Sequence, residues 1–146
     1  MTKALKDMSQ TRALTIKNTI PEISRMNHWL TVSLADFGLS NSVQFRFDLC
    51  ANEAVTNIIS YAYPAKDIHE IGLLLTLKSD TVILNIEDDG IAFNPFLMAE
   101  HSAPKSLSEA KIGGLGIDLI RHYVDDFNYM RRDDRNILSL KIKLDE

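Results

Sequence analysis

Three short stretches of this chain bring together residue types that could do chemistry. In FDLCANEAVTNIISYAY, Phe47–Tyr63, a carboxylate and an amide stand four residues apart at Glu53 and Asn57. On a helix that spacing stacks them one turn apart, pointing the same way. Taken alone, the pair also fits a solvated polar face. In IEDDG, Ile86–Gly90, two carboxylates sit side by side at Asp88 and Asp89, just before a glycine. In GGLGI, Gly113–Ile117, glycines lead into a helical pattern. Bare backbone N–H groups and the positive end of a helix dipole make such a loop a phosphate seat, although helix-leading glycines are common and weak evidence by themselves.

The surrounding elements decide how these residues are aimed. Phe47, Ala51, Ala54, Val55, Ile58 and Ala62 recur at three- and four-residue steps, the signature of one apolar helix face. The opposite face then carries Arg46, Glu53, Asn57 and Ser60. Asn41 and Ser42 are candidate N-caps for this helix, and Pro64 ends it. Ile71–Leu77 and Val82–Asp88 read as a β-hairpin around Lys78–Thr81. Along the second strand Val82, Leu84 and Ile86 share one face, because strand side chains alternate with period two. Asp88 has their parity and is expected to face inward, whereas Asp89 points away. A buried carboxylate is costly unless it meets a hydrogen-bond donor. The competing reading is a strand-end Asp that caps a turn with Gly90.

The rest of the chain supplies a frame. Residues 1–12 are polar and are expected to form a flexible N-terminus. Ala13–Lys17 alternates like a short strand. Pro21 can open a helix whose apolar stripe is Ile23, Met26, Leu30, Leu34 and Phe37, with Trp29 beside it and Gly38 as the terminator. Residues 96–112 lack a period and read as a long loop, either a lid over a site or a plain insertion. Leu119, Ile120, Val124 and Phe127 then follow at helical spacing, and Tyr129–Arg132 and Ile137–Leu144 close the chain as strands around Asp133–Asp134–Arg135.

Composition narrows the function classes. The 146 residues suffice for one domain with a proper core, and 45% hydrophobic with 25% charged residues is ordinary for a soluble protein. A net charge of −4 does not favour nucleic acid. No apolar run approaches the ~20 residues of a membrane helix, and the N-terminus has no signal-peptide pattern. These features predict a cytoplasmic protein. Cys50, the single cysteine, lies beside apolar helix positions and is expected to be a buried, inert thiol. His28, His69, His101 and His122 are scattered without metal-ligand spacing.

The order of these parts is a helix with Glu and Asn four apart, a strand ending Asp-x-Gly, a long loop, a glycine loop and a helix. It resembles the ATP-binding fold shared by gyrase-type topoisomerases, the heat-shock chaperone ATPase, mismatch-repair ATPases and histidine kinases. EAVTNIISYAYP, DDGIAFNP and GGLGIDLIRHYVDDFNYMRR are most similar to the anti-sigma factor serine/threonine kinases, bacterial switch proteins that act on anti-anti-sigma partners. The resemblance runs from about Ala13 to Leu144. Ala92 stands where a histidine kinase has a second glycine, and no module for a phosphoacceptor histidine is present, so a sensor fragment fits less well. Asn94 departs from the Asp common in related sequences but keeps the local turn chemistry.

The resemblance implies an α+β fold: a two-layer α/β sandwich with a mixed, mostly antiparallel sheet and helices on one face, residues 13–146 forming a single ATP-binding kinase domain. By position, it implies that Asp88 accepts a hydrogen bond from the adenine amino group and that Gly90 lets the backbone pass close to the base. Phe93 is implied to contribute to the nucleotide site. Asn57 is implied to ligate Mg2+, and Gly113, Gly114, Leu115 and Gly116 to cradle the phosphates. Glu53 is implied to orient or deprotonate the attacking hydroxyl. ATP and Mg2+ are the implied cofactors. An anti-anti-sigma protein is the implied substrate, with a sigma factor as a further candidate partner and a homodimer as the implied assembly. The alternative is a nucleotide-gated binding switch without significant phosphotransfer; the presence of Glu53 favours the kinase.

Overall fold

The computed structural model describes residues 9–65, 67–97 and 115–144. The chain runs β1 (Ser9–Lys17), α1 (Glu22–Asp36), α2 (Asn41–Tyr61), β2 (Glu70–Lys78), β3 (Thr81–Asp88), α3 (Leu115–Tyr123), β4 (Asp126–Arg132) and β5 (Arg135–Lys143). The strands form one sheet in the order β1-β2-β3-β5-β4, and all its pairings are antiparallel. The expected α+β class and the mostly antiparallel sheet hold; no parallel pairing occurs among the described residues.

Alternation decides which side of the sheet is covered. Ile71, Leu73 and Leu75 of β2, Val82, Leu84 and Ile86 of β3, and Leu138, Leu140 and Ile142 of β5 share one core with the apolar faces of the three helices. The intervening residues, such as Leu74, Ile83, Asn85 and Lys141, face outward and are half-buried or exposed. This is a two-layer packing, helices over one sheet face.

Local chemistry accounts for the helix ends. Pro21, at φ −58°, precedes the first residue of α1, where its missing N–H is harmless. Gly38 ends that helix at φ +75°, a conformation disfavoured for residues with a Cβ. The Gly38 N–H donates to the Ala35 carbonyl (2.9 Å) and the Leu39 N–H to the Leu34 carbonyl (3.2 Å), a Schellman closure. The α2 cap is Ser40, whose Oγ accepts from the Val43 N–H at 3.3 Å. This corrects the expected cap at Asn41 or Ser42: Ser40 is the residue with extended backbone, and the next two are already helical.

The largest departure in the frame is β1. It starts at Ser9, four residues before the alternation predicts, so part of the segment expected to be flexible is paired strand. Ser9–Arg12 pair with Leu75–Lys78 although their side chains are exposed. Backbone pairing, assisted by the Arg12 guanidinium 5.2 Å over the Phe37 ring, leaves no hydrophobic alternation to read. Residues 1–8 lie outside the described residues. At the other edge of the sheet, β4 and β5 join through Asp133 and Asp134, both at positive φ (53° and 61°), as a two-residue hairpin turn of matching twist requires.

Cys50 is buried as expected, and burial pushes its thiol up to about 11. No helix among the described residues is long and apolar enough to cross a membrane.

Candidate functional site

Helix α2 contributes Glu53 and Asn57. All six apolar positions of its predicted core face are buried. The opposite face is not the solvated surface that periodicity alone suggests. Asn57 is only 4% exposed, Glu53 is half-buried, and Ser60 alone of the four is exposed. The reason is two-sided packing: α2 meets the core on one side and α3 on another. Arg46 marks that second contact. Its Nε donates to the Tyr123 carbonyl at 2.7 Å, placing a cation at the C-terminal end of α3, where the helix dipole favours it. The Asn57 Nδ2 is buried with no hydrogen-bond partner among the described residues. A buried amide N–H left unpaired costs about 1–3 kcal/mol, so its retention points to a functional position.

Strand β3 delivers Asp88 as parity predicts. It is 1% exposed, and both its hydrogen bonds fall on Oδ1: one from the Gly90 N–H and one from Asn136 Nδ2, each 2.9 Å. Burial raises the Asp88 carboxyl above its ordinary value. The Asn136 and Gly90 donors and the Arg131 charge pull it down without prevailing, and neighbouring Asp89 pushes it up further.

Asp89 points outward, its side chain 39% exposed. It accepts from the Tyr63 hydroxyl at 3.3 Å and lies 3.1 Å from His69 Nδ1. Partial burial pushes its carboxyl up, but the hydrogen bond and charge of His69 and the Tyr63 hydroxyl outweigh that and leave it below the usual range. Tyr63, partly buried beside both carboxylates, is raised. One peptide bond thus separates two carboxylates shifted in opposite directions.

Gly90 is required by a close approach. A Cβ there would stand 2.4 Å from the Ala62 carbonyl oxygen, and the Ile91 N–H donates to that same oxygen at 2.9 Å. The close neighbour in the structure is therefore the end of α2. Phe93 is buried, its N–H donates to Asn136 Oδ1 at 3.1 Å, and its ring lies 5.6 Å from Tyr61. Asn94 does keep its turn chemistry: its Oδ1 accepts from the Phe96 N–H at 3.0 Å. Phe96, the first residue of the expected lid, is buried and stacks on Phe127 with centroids 4.2 Å apart. Residues 98–112 of that loop, with Gly113 and Gly114, lie outside the described residues; Leu115 and Gly116, read from the sequence as part of the loop, are the first two residues of α3.

Asn136 is the residue that sequence reasoning missed. It faces Asp88 directly in the β3–β5 register and is 3% exposed. The signal was present: Asn136 has the parity of Leu138, Leu140 and Ile142, the same rule that singled out Asp88. The predicted strand began at Ile137, two residues after the observed start at Arg135, and left Asn136 out.

Among the described residues no three His, Cys, Asp or Glu side chains gather as a metal site. Asn57 still fits a hard cation: its side-chain amide carries an oxygen donor one helical turn from the Glu53 carboxyl, and its Nδ2 is tied to no acceptor among the described residues. Mg2+ is commonly held by one or two protein oxygens together with substrate phosphates rather than by an all-protein cage.

Comparison with known proteins identifies the family. Residues 16–142 match the histidine kinase-like ATPase domain. The chain is 34% identical over 133 residues to the serine/threonine-protein kinase BtrW of Bordetella bronchiseptica, covering 90% of this chain and 93% of that protein. It is 28% identical over 120 residues to the serine-protein kinase RsbW of Bacillus mycoides, covering 75% and 74%, and 27% identical over 120 residues to RsbW of Bacillus cereus strain Q1. An inward Asp at the end of a central strand, a Glu–Asn pair on the neighbouring helix and this extent of likeness lead to one conclusion: the chain belongs to the histidine kinase-like ATPase domain family, in the branch that includes these serine and serine/threonine protein kinases.

Proposed function

We propose that the protein is an ATP-dependent serine/threonine kinase that phosphorylates an anti-anti-sigma protein in the cytoplasm and holds a sigma factor when that partner is phosphorylated. The observation that carries this reading is the burial of Asp88 and Asn57, two polar side chains that a core tolerates only for a reason. Asp88 offers Oδ2, which has no hydrogen-bond partner among the described residues, to the adenine amino group. Gly90 and Phe93 lie beside it in the chain and shape the base site. Gly113, Gly114, Leu115 and Gly116 receive the phosphates on backbone N–H groups.

Asn57 is the protein ligand for Mg2+, which when bound neutralises phosphate charge. Glu53, one turn away, orients the partner's hydroxyl and accepts its proton as the oxygen bonds to the γ-phosphorus and the bond to the β-phosphate oxygen breaks, releasing ADP. In phosphoryl transfer most of the rate comes from such positioning and charge stabilisation. A homodimer built on α1 and the edge strand β1 belongs to the same proposal.

The test is transfer of labelled γ-phosphate from ATP to candidate anti-anti-sigma proteins of the same organism. Magnesium-dependent labelling of one partner on serine or threonine is the expected result. Binding of Mg·ATP with no labelling of any candidate would favour the nucleotide-gated binding switch.

A further inference from the structure

Asn136 is held by every hydrogen-bonding group it has. Its Nδ2 donates to Asp88 Oδ1 at 2.9 Å and to the Ile91 carbonyl at 2.7 Å, and its Oδ1 accepts from the Phe93 N–H at 3.1 Å and from the Tyr129 hydroxyl. A side-chain amide has two N–H groups and two lone pairs, so nothing is left over. The amide orientation follows. Turning it over would set its oxygen against the Asp88 carboxylate and the Ile91 carbonyl, and its NH2 against the Phe93 N–H.

This arrangement acts on Asp88. Asn136 and the Gly90 N–H together saturate Oδ1 with donors, which favours the ionised carboxylate and leaves Oδ2 as the oxygen on offer. A carboxylate oxygen accepts from a 6-amino group and repels a 6-oxo group. We propose that Asn136 is the positioning residue that sets the nucleotide preference of the site, selecting 6-aminopurine over 6-oxopurine nucleotides by fixing which Asp88 oxygen is presented. The inference rests on the nucleotide reading of Asp88 given above.

The charges around Asp88 define what the test must separate. Asp89 adjoins it on β3, Arg131 faces it from β4 with Nη1 2.9 Å from the Gly90 carbonyl, and Tyr63 faces it from the end of α2. His69 pairs with Asp89. Burial holds the Asp88 carboxyl up and the Asn136 bond is the largest opposing effect. Removing that donor raises the protonation midpoint further, so nucleotide affinity begins to fall at a higher pH as the solution is acidified.

The experiment uses the full chain, with Mg·ATP and Mg·ITP affinities measured by calorimetry between pH 5 and 8. The 13C shift of the Asp88 carboxyl is followed in the nucleotide-free protein. Asn136→Leu should raise the Asp88 midpoint and reduce the ATP-to-ITP preference about tenfold, the worth of one hydrogen bond to a charged group. Asn136→Asp keeps the shape and the acceptors for Phe93 and Tyr129. Its carboxyl can replace the lost donor while the Asp pair retains one proton, so its ATP preference should persist in mild acid and fall as the pH rises. An unchanged 13C midpoint in Asn136→Leu, or equal losses for ATP and ITP in both variants, would overturn the role of Asn136. Wild-type protein that titrates as expected but binds neither nucleotide would instead remove the nucleotide reading, and the selectivity claim with it. Should Asn136→Leu fail to fold, the opposite pH trend of Asn136→Asp decides the matter.

Discussion

Asn57 and Asn136 are the same residue type and almost equally buried, at 4% and 3% exposure, yet they belong to different kinds of region. Asn136, at the start of β5, is fully bonded and ties together β3, β4 and the segment after Gly90. Asn57, in the C-terminal part of α2, has an amide nitrogen with no partner among the described residues. A satisfied buried network stiffens its surroundings and holds its members in one arrangement. An unsatisfied group costs stability and persists where a ligand uses it. The strand side is thus held in one arrangement, and the helix side keeps an unpaired donor.

That contrast predicts different failures. The largest effect is expected at Glu53, on the helix side. Glu53→Gln keeps size and hydrogen bonding but removes the proposed base, so turnover with a protein substrate should fall by about 10²–10⁴ while Mg·ATP binding stays within a few-fold. Phosphotransfer at the wild-type rate would take Glu53 out of the mechanism.

Next is Asp88, on the strand side. Asp88→Asn offers the base an NH2 or a neutral oxygen in place of a charged one, and should weaken ATP binding by about 1–3 kcal/mol. Titration calorimetry reads this directly. An effect no larger than that of Asp89→Asn would sink the assignment.

The two asparagines can then be compared in stability. Asn136→Leu strands donors and acceptors on four partners and should lower unfolding free energy by about 1–3 kcal/mol. Asn57→Leu removes an unpaired buried N–H, so the urea midpoint should hold or rise even as magnesium-dependent nucleotide binding is lost. Equal destabilisation by both changes would erase the distinction between the regions.

The smallest effect belongs to Asp89. Asp89→Asn should leave ATP affinity within about twofold, the level of a surface change, and act on acid stability instead. Its carboxyl is depressed in the fold, so the stability it contributes is present above the unfolded value and lost as pH falls through the folded one. Asp88 is raised and carries the opposite sign: its burial penalty is present above its folded value and relieved on acidification. Urea midpoints between pH 2 and 6 should therefore fall less steeply for Asp89→Asn than for the wild type.

Period-based reading determined much of this protein because those rules are local. Strand parity aimed Asp88 inward and Asp89 outward, helical spacing marked the buried face of α2, and Gly38 marked the end of α1. What acts across the chain was not legible. Asn57 is buried although it lies on a helix face that is polar in sequence, because α2 packs against α3 as well as against the core. The Asp88–Asn136 pair joins residues 48 positions apart, brought together by strand register. Gly90 is required by the Ala62 carbonyl, a neighbour set by where α2 ends. β1 reaches back to Ser9 because its partner strand offers hydrogen bonds there, not because its side chains are apolar. A single sequence states what each residue can do over one turn or one pleat. Which polar groups are enclosed together is decided only when separate elements close on the same volume.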